Sequence, residues 1–209
     1  MIPESVTEIG KKAFIGCPSL RKVHLRDSVT SIGAGAFWDC RSLESAPIPE
    51  SVTHIGESAF KCCASLVNAA IPESVTEIPD EMFYACTALE SVKIPASVRK
   101  IGSKVFFGCT SLESVEISES VTEIGQGAFH GCTSLRSVEI PESVTVIGPS
   151  AFRGCEALVS VVIPDAVTEI GPGAFSGCEA LESVSVPKTA QWKENTFENC
   201  SKLKNFIRR

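Results

Sequence analysis

The sequence predicts a mainly β solenoid, a right-handed coil with a parallel β-sheet, short second strands and short helical turns. The first observation is a cysteine that recurs every 23 residues. The second is a set of leucine, valine and isoleucine columns that keep the same period, and the third is a strand-like alternation inside every unit. A fixed period of about 20 to 29 residues is typical of a solenoid, because each unit buries its apolar side only against its neighbours. The cysteines are Cys17, Cys40, Cys63, Cys86, Cys109, Cys132, Cys155 and Cys178, with Cys200 one residue early.

The repeating unit continues without a linker, so the chain is expected to form a single domain. Each cysteine follows a phenylalanine by three positions and precedes a leucine by three. Residues 1–186 divide into eight to nine 23-residue repeats, and residues 187–209 form a degenerate C-terminal capping repeat. The leucine column reads Leu20, Leu43, Leu66, Leu89, Leu112, Leu135, Leu158 and Leu181.

Three elements are expected in each unit. In the segment 112–117, Val115 and Ile117 alternate with Ser114 and Glu116, which is the period-2 pattern of a half-buried strand. A proline usually follows this strand and ends it, because proline has no N–H for the ladder. The next piece, Ser-Val-Thr-x-Ile, is a second short strand that ends at a glycine turn. The segment x-x-Ala-Phe-x-Gly-Cys then predicts one tight helical turn with Phe and Cys pointing inward.

Composition excludes two classes of partner. The formal net charge of -6 and the isoelectric point near 5.2 argue against nucleic-acid binding, which requires a clustered basic surface. A membrane span is not expected, because the apolar runs are broken every few positions and a spanning helix needs about 20 apolar residues in succession.

The ten cysteines are expected to be free thiols. A column of one cysteine per coil fits the stacked interior, where cysteine packs as a small hydrophobic residue. Disulfides are the alternative, but they are typical of short secreted chains with small cores. Cys62 is the exception, because it occupies a variable position and is expected to point outward.

The unit resembles the BspA-like class of leucine-rich repeats, through residues such as Ile140-Pro141, Ile147-Gly148, Ala151-Phe152 and Cys155. The resemblance implies a surface or secreted module of bacteria or protists that serves adhesion and protein binding. The chain starts inside a repeat without a secretory signal, so the expected location is the cytoplasm if the chain is complete. Location therefore stays open.

Many leucine-rich repeats carry a buried asparagine where this chain has Ser51, Ser74, Ser97, Ser120 and Ser143.

No catalytic site, metal site or cofactor is expected. His24, His54 and His130 fall at three different positions of the repeat, so they point from different faces and do not converge as metal ligands must. Serine and cysteine are abundant only because they repeat, which a structural role explains.

The first candidate surface is the outward side of the strands, which we call the strand face. Repeats differ there, so these positions are free to contact a partner, either a protein or a glycan. The alternative is that the charged side chains on this face are merely solvated and contact no partner. The candidate residues are Lys22, His24, Asn68, Lys93, Glu116, Glu139 and Val162.

A second candidate surface is the column that directly follows the core phenylalanine. It contains Trp38, Tyr84, Phe107 and His130, and aromatic side chains are enriched at interfaces. The alternative is that these rings fold over the turn and cover the core.

The N-terminal end of the solenoid leads to an expectation about the first coil. No cap precedes the first coil, with Val6, Ile9, Phe14 and Leu20, so this coil is expected to be frayed, joined to further sequence, or covered end to end by another molecule. Two functions follow from the sequence: a non-enzymatic binding module that uses the strand face, or a passive spacer or end-to-end assembling stalk with no specific ligand.

Overall fold

The computed structural model describes residues 2–209 as a parallel β-solenoid of about nine turns. This confirms the predicted fold class. The strands that carry the strand face are β4 (Asn68–Ala70), β6 (Ser91–Lys93), β8 (Ser114–Glu116), β11 (Ser160–Val162), β13 (Ser183–Val186) and β14 (Asn205–Arg208). The second strands are β1 (Glu8–Ile9), β2 (Ser31–Ile32), β3 (His54–Ile55), β5 (Glu77–Ile78), β7 (Lys100–Ile101), β9 (Glu123–Ile124), β10 (Val146–Ile147) and β12 (Glu169–Ile170).

Every strand pairs in parallel with the equivalent strand of a neighbouring coil. The register is that of the sequence repeat, so that Val92 lies opposite Val115 and Ile101 opposite Ile124. Each column of the sequence is therefore a column in space. No helix in the described part of the chain has the length and hydropathy that crossing a bilayer requires.

A continuous stack of phenylalanine rings runs through the core. Neighbouring rings lie 5.1–5.8 Å apart between centroids and within 18° of parallel. This offset stacking is favourable for aromatic pairs. The rings belong to Phe14, Phe37, Phe60, Phe83, Phe106, Phe129, Phe152, Phe175 and Phe197.

Two side-chain ladders bond each coil to the one before it. The thiol of Cys63 donates to the carbonyl of Phe37 at 3.2 Å, and the same bond recurs from Cys40 to Cys200. All ten cysteines are free thiols, and seven of them are buried. In the serine column, Ser51 donates to the carbonyl of Val29 at 2.7 Å. Serine thus satisfies a buried backbone acceptor through the preceding coil.

Successive β-turns, rather than a helical turn, close most coils. In the second coil, turns begin at Gly33, Gly35 and Phe37, and the amide three residues later donates to each carbonyl at 3.0–3.2 Å. The third residues of the first and last of these turns, Gly35 and Asp39, have φ of 62°. A positive φ at that position is the mark of a type II turn. The 3₁₀-helix at Glu194–Phe197 is the single helical segment of residues 2–209.

In most coils the glycine that ends the second strand allows close approach to the preceding coil; the exceptions are Gly10, where a Cβ would meet nothing within 4 Å, and the fourth coil, which has Pro79 there. A Cβ atom on Gly125 would lie 2.6 Å from the backbone carbon of Gly102, and one on Gly171 would lie 2.3 Å from the nitrogen of Pro149. The sequence predicts that this column of glycines serves the turn after the second strand. The structure shows instead that it lets two backbones touch.

Two prolines explain two of the interruptions in the ladders; a third, at residues 137–139 between β8 and β11, contains no proline. In other coils the glycine after the second strand donates its N–H to the preceding coil, as Gly56 does to Ile32 at 2.7 Å. Pro79 occupies that position in the fourth coil and has no N–H to donate, and β3 and β5 belong to separate sheets. Pro47 likewise removes a donor from the second coil, where Lys22 and Ser45 form only an isolated bridge.

The two ends of the solenoid differ. At the C-terminal end, Phe206 lies edge-on to Phe197 at 5.6 Å and tilted against Trp192 at 6.0 Å, so aromatic rings cross the end of the stack. At the N-terminal end, half-buried Val6, Phe14 and Leu20 line an open concavity of about 1140 Å³.

Candidate binding surfaces

The strand face consists of two exposed columns that flank the inward valines. The alternation of β6 and β8 is exposed, buried, exposed, and Val92 between Ser91 and Lys93 is 4% exposed. The outward side chains therefore make no contribution to the core and can vary from coil to coil. All seven sequence candidates are exposed: Lys22, His24, Asn68, Lys93, Glu116, Glu139 and Val162.

The strand face changes in character along the solenoid axis. Lys93 lies directly opposite Glu116 in the β6–β8 register. Farther along, Val162 is 59% exposed and lies two strands from Ile207, which is 55% exposed. A charged middle thus leads to an apolar patch near the C-terminal end.

The second surface, which we call the aromatic edge, is a stack in its own right. The rings of Tyr84 and Phe107 are parallel at 4.8 Å, and His130 lies 4.5 Å from Phe107 with a tilt of 46°. Trp38, Tyr84, Phe107 and His130 are all half-buried. Because the ring faces are turned toward one another along the axis, mainly ring edges remain for solvent.

Lys61 fills the gap between Trp38 and Tyr84 in this column. Its ammonium nitrogen lies 5.1 Å from the Trp38 ring centroid and 4.5 Å from that of Tyr84. Glu81 holds the same nitrogen at 2.6 Å, and the Lys61 side chain is only 19% exposed. Such a cation between two ring faces is attracted by both.

Electrostatics at the aromatic edge follow from these contacts. The hydrogen bond from Lys61 lowers the pKa of Glu81 below its ordinary value. Burial lowers the pKa of His130, and the neighbouring Arg153 lowers it further. At neutral pH the edge therefore contains an ionised carboxylate and a neutral imidazole.

Sequence reasoning identified the four aromatic residues of the edge but missed Lys61. Its position in the column, directly after Phe60, is the signal that could have found it. The three histidines are far apart in the repeat: His24 on the strand face, His54 in β3 and His130 in the aromatic edge. Residues 2–209 contain no group of three or more His, Cys, Asp or Glu placed to hold a metal ion.

Cys62 is half-buried rather than fully outward. Its φ is 61°, a left-handed conformation that most other coils give to glycine, although Asp39 and Ala85 adopt it in two of them. Burial raises the pKa of its thiol, and the nearby Asp39 raises it further. The thiol is therefore less ionised at neutral pH than an ordinary cysteine.

The family model for the BspA type leucine rich repeat region matches the chain over residues 1–113 and 76–204, with six copies. The chain belongs to this family. BspA type repeats thus account for the columns of the sequence and for the coil that the structure shows. No curated protein matched the chain.

Solved structures of other leucine-rich repeat proteins are similar. A leucine-rich repeat protein from Bacteroides ovatus superposes with a TM-score of 0.91 at 34% identity; the match covers 100% of this chain and 54% of that one. The chain therefore spans about half the length of that relative. The T. pallidum leucine rich repeat protein has a TM-score of 0.64 at 32% identity, over 86% of this chain and 76% of that one. A leucine-rich repeat protein from Eubacterium ventriosum shares the fold, with a TM-score of 0.59 at 24% identity over 96% of this chain and 70% of that one.

Proposed function

We propose that the chain is a non-enzymatic binding module whose strand face contacts a protein or glycan partner. Leucine-rich repeat folds typically take part in protein–protein interaction, and such proteins are generally binding or structural modules. The observation that carries the proposal is the exposed set of variable side chains on a sheet whose alternate residues are buried. Changes at these outward positions do not affect the packing of the core, so their side chains can differ from coil to coil to suit a partner.

The charged middle of the strand face is the part most suited to specificity. Lys93, Glu116 and Glu139 are exposed and lie among serines, whose small side chains leave room for a partner. Exposed charges contribute more to selection and association rate than to affinity. The apolar patch with Val162 adds area that a partner can bury.

Replacing the three charges together tests the proposal. We expect the variant with Lys93→Ala, Glu116→Ala and Glu139→Ala to lose partner capture while its melting temperature is unchanged. The matched control is the variant with Arg99→Ala, Glu119→Ala and Glu142→Ala, which removes one cation and two anions from exposed positions outside the strand face. Bait proteins would be compared in pull-downs from cell lysate and from extracellular matrix. Equal capture by both variants would contradict the proposal.

A passive spacer is the second candidate, and the uninterrupted phenylalanine stack supports it. A spacer depends on length, whereas a recognition face depends on particular coils. Deleting one 23-residue coil, residues 93–115, joins Val92 to Glu116, shortens the solenoid by one layer and removes Lys93, the cation of the charged middle. Gradual loss of function over successive deletions of different coils would favour the spacer, and abrupt loss with this deletion would favour recognition.

A further inference from the structure

The open edge of β14 is an unpaired strand at the C-terminal end of the strand-face sheet. β14 pairs with β13 on one side and is the last strand of its sheet. The amides of Asn205 and Arg209 donate to the carbonyls of Glu182 and Val186 in the preceding coil. Since backbone groups alternate between the two sides of a strand, the N–H and C=O groups of Phe206 and Arg208 point to the open side. An exposed row of this kind is a template for another strand.

Apolar side chains along β14 are incompletely covered. Phe206 is 44% exposed and Ile207 is 55% exposed. By contrast, all the phenylalanines of the core stack from Phe37 to Phe175 are fully buried. Phe206 points inward in register with Val184. A strand added beside β14 would cover Phe206 from the outside, as each coil covers the one before it.

The basic charge of the C-terminal end favours an acidic partner at this edge. Residues 187–209 contain six Lys or Arg residues and two Glu residues, whereas residues 1–186 contain 13 basic and 23 acidic residues. Lys202 and Lys204 are exposed and take part in none of the ion pairs found among residues 2–209. An added strand that carries carboxylates would meet these two ammonium groups.

End-to-end stacking of a second copy fits this end poorly. In the register of the repeat, the first coil of a second copy would place Arg21 beside Lys204 and Lys22 beside Asn205, so it would bring a cation rather than a carboxylate to Lys204. Like charges directly opposite one another in a sheet are destabilising. The edge is therefore better matched to an acidic segment than to the N-terminal coil of this chain.

We propose that β14 binds an extended acidic peptide segment as an added parallel strand, with apolar residues at alternate positions. The apolar side chains cover Phe206, and the acidic side chains meet Lys202 and Lys204. Main-chain hydrogen bonds to Phe206 and Arg208 supply the pairing.

The probe is a blocked peptide with the sequence of residues 111–119, Ser-Leu-Glu-Ser-Val-Glu-Ile-Ser-Glu. In the repeat register its Val115 lies beside Phe206 and its Glu113 beside Lys204. Titration into the ¹⁵N-labelled protein should shift the amide resonances of residues 203–209 in a saturable manner. The same peptide with Glu113→Lys, Glu116→Lys and Glu119→Lys should bind at least tenfold more weakly.

Two matched pairs of controls separate strand addition from simple charge attraction. A peptide N-methylated at Ser114 and Glu116, whose amides face β14, should not bind, whereas one N-methylated at Val115 and Ile117 should bind as the parent does. On the protein, Lys202→Glu with Lys204→Glu should weaken binding at least tenfold, and Lys11→Glu with Arg99→Glu, at exposed positions outside the strand face, should leave it unchanged.

Three results would overturn the proposal: equal binding of acidic and basic peptides, equal binding of the two N-methylated peptides, or no saturable shift. Shifts of residues 203–209 that depend on protein concentration instead of peptide would identify a second copy as the occupant and would also overturn it. None of these outcomes bears on the strand-face charges, so the two proposals fail separately.

Discussion

At the scale of single residues, each column of this protein performs one physical task. The cysteine column places a weak donor against a buried phenylalanine carbonyl, which alanine could not do. Burial raises the pKa of the Cys109 thiol to about 12, so the buried thiols stay protonated and keep their role as donors. The exposed fraction of each thiol therefore controls its chemistry.

Thiol labelling of the native protein should separate two classes of cysteine. Cys86, Cys109 and Cys132 are buried and should resist alkylation by iodoacetamide at pH 8, whereas the half-buried Cys17, Cys62 and Cys200 should react first. Mass spectrometry of tryptic peptides over a time course measures both rates. Urea should equalise the two classes, and fast native labelling of Cys109 would contradict the packing.

His130 should make stability depend on pH. Its pKa is lowered from the ordinary 6.5 by burial and by Arg153, so the folded state favours the neutral imidazole. The unfolded chain therefore binds a proton more readily. The contribution of neutral His130 to the free energy of unfolding is present above about pH 6.5. It is lost as the pH falls through the lower pKa that His130 has in the folded state. Urea unfolding at pH 7.5, 6.5 and 5.5 should show a larger loss of unfolding free energy in the native sequence than in His130→Gln; equal losses would contradict this.

At the scale of elements, the coil depends on how closely two turns approach. Gly125 and Gly127 lie two residues apart but serve different needs. A Cβ on Gly125 would lie 2.6 Å from the backbone of Gly102, whereas one on Gly127 would lie 3.4 Å from the flexible Lys104 side chain, at a φ of 61°.

Alanine at these two glycines should therefore have unequal effects. Gly127→Ala costs about 1 kcal/mol, the usual strain of a left-handed residue. Gly125→Ala costs about 3 kcal/mol, because the neighbouring backbone must move. Chemical denaturation of both variants measures the difference, and equal costs would show that this column serves turn flexibility after all.

Lys61 should stabilise the aromatic edge. Truncation by Lys61→Ala removes a cation from between two rings and leaves Glu81 without its ammonium partner, so the free energy of unfolding should fall by about 1–2 kcal/mol. The control is Lys93→Ala on the strand face, which should change stability by less than about 0.5 kcal/mol. A comparable effect of the two changes would mean that the edge is only a solvated surface.

The elements also show what sequence reasoning could and could not reach. The strands, the columns and the inward side chains follow from the 23-residue period, because translation along the axis repeats every contact. The β-turns did not follow, since i to i+3 bonds are common to a helical turn and to a β-turn, and Lys12 and Lys104 occupy left-handed positions that their identity conceals. Lys61 was missed because an isolated lysine in a variable column is usually solvated. The ladder break at Pro79 could have been predicted, since proline there replaces the glycine donor.

At the scale of the whole molecule, stability should vary along the axis. Each internal coil is covered on both sides, whereas the first coil borders the open concavity and the last is covered by Trp192 and Phe206. In a solenoid, local stability is the sum of the contributions of a repeat and its two interfaces. The two ends should therefore open at different free energies.

Native-state hydrogen exchange should show this asymmetry. Protection of the turn amides is expected to be greatest around Phe106 and Phe129, lower at Phe175, and lowest at Phe14, whose ring is stacked on one side only. Phe206→Ser removes the ring that lies edge-on to Phe197, so it should increase exchange at Phe175 and leave Phe14 unchanged. Uniform protection along the chain would mean that the coils unfold as one cooperative unit; the difference between covered and uncovered ends would then have no energetic consequence.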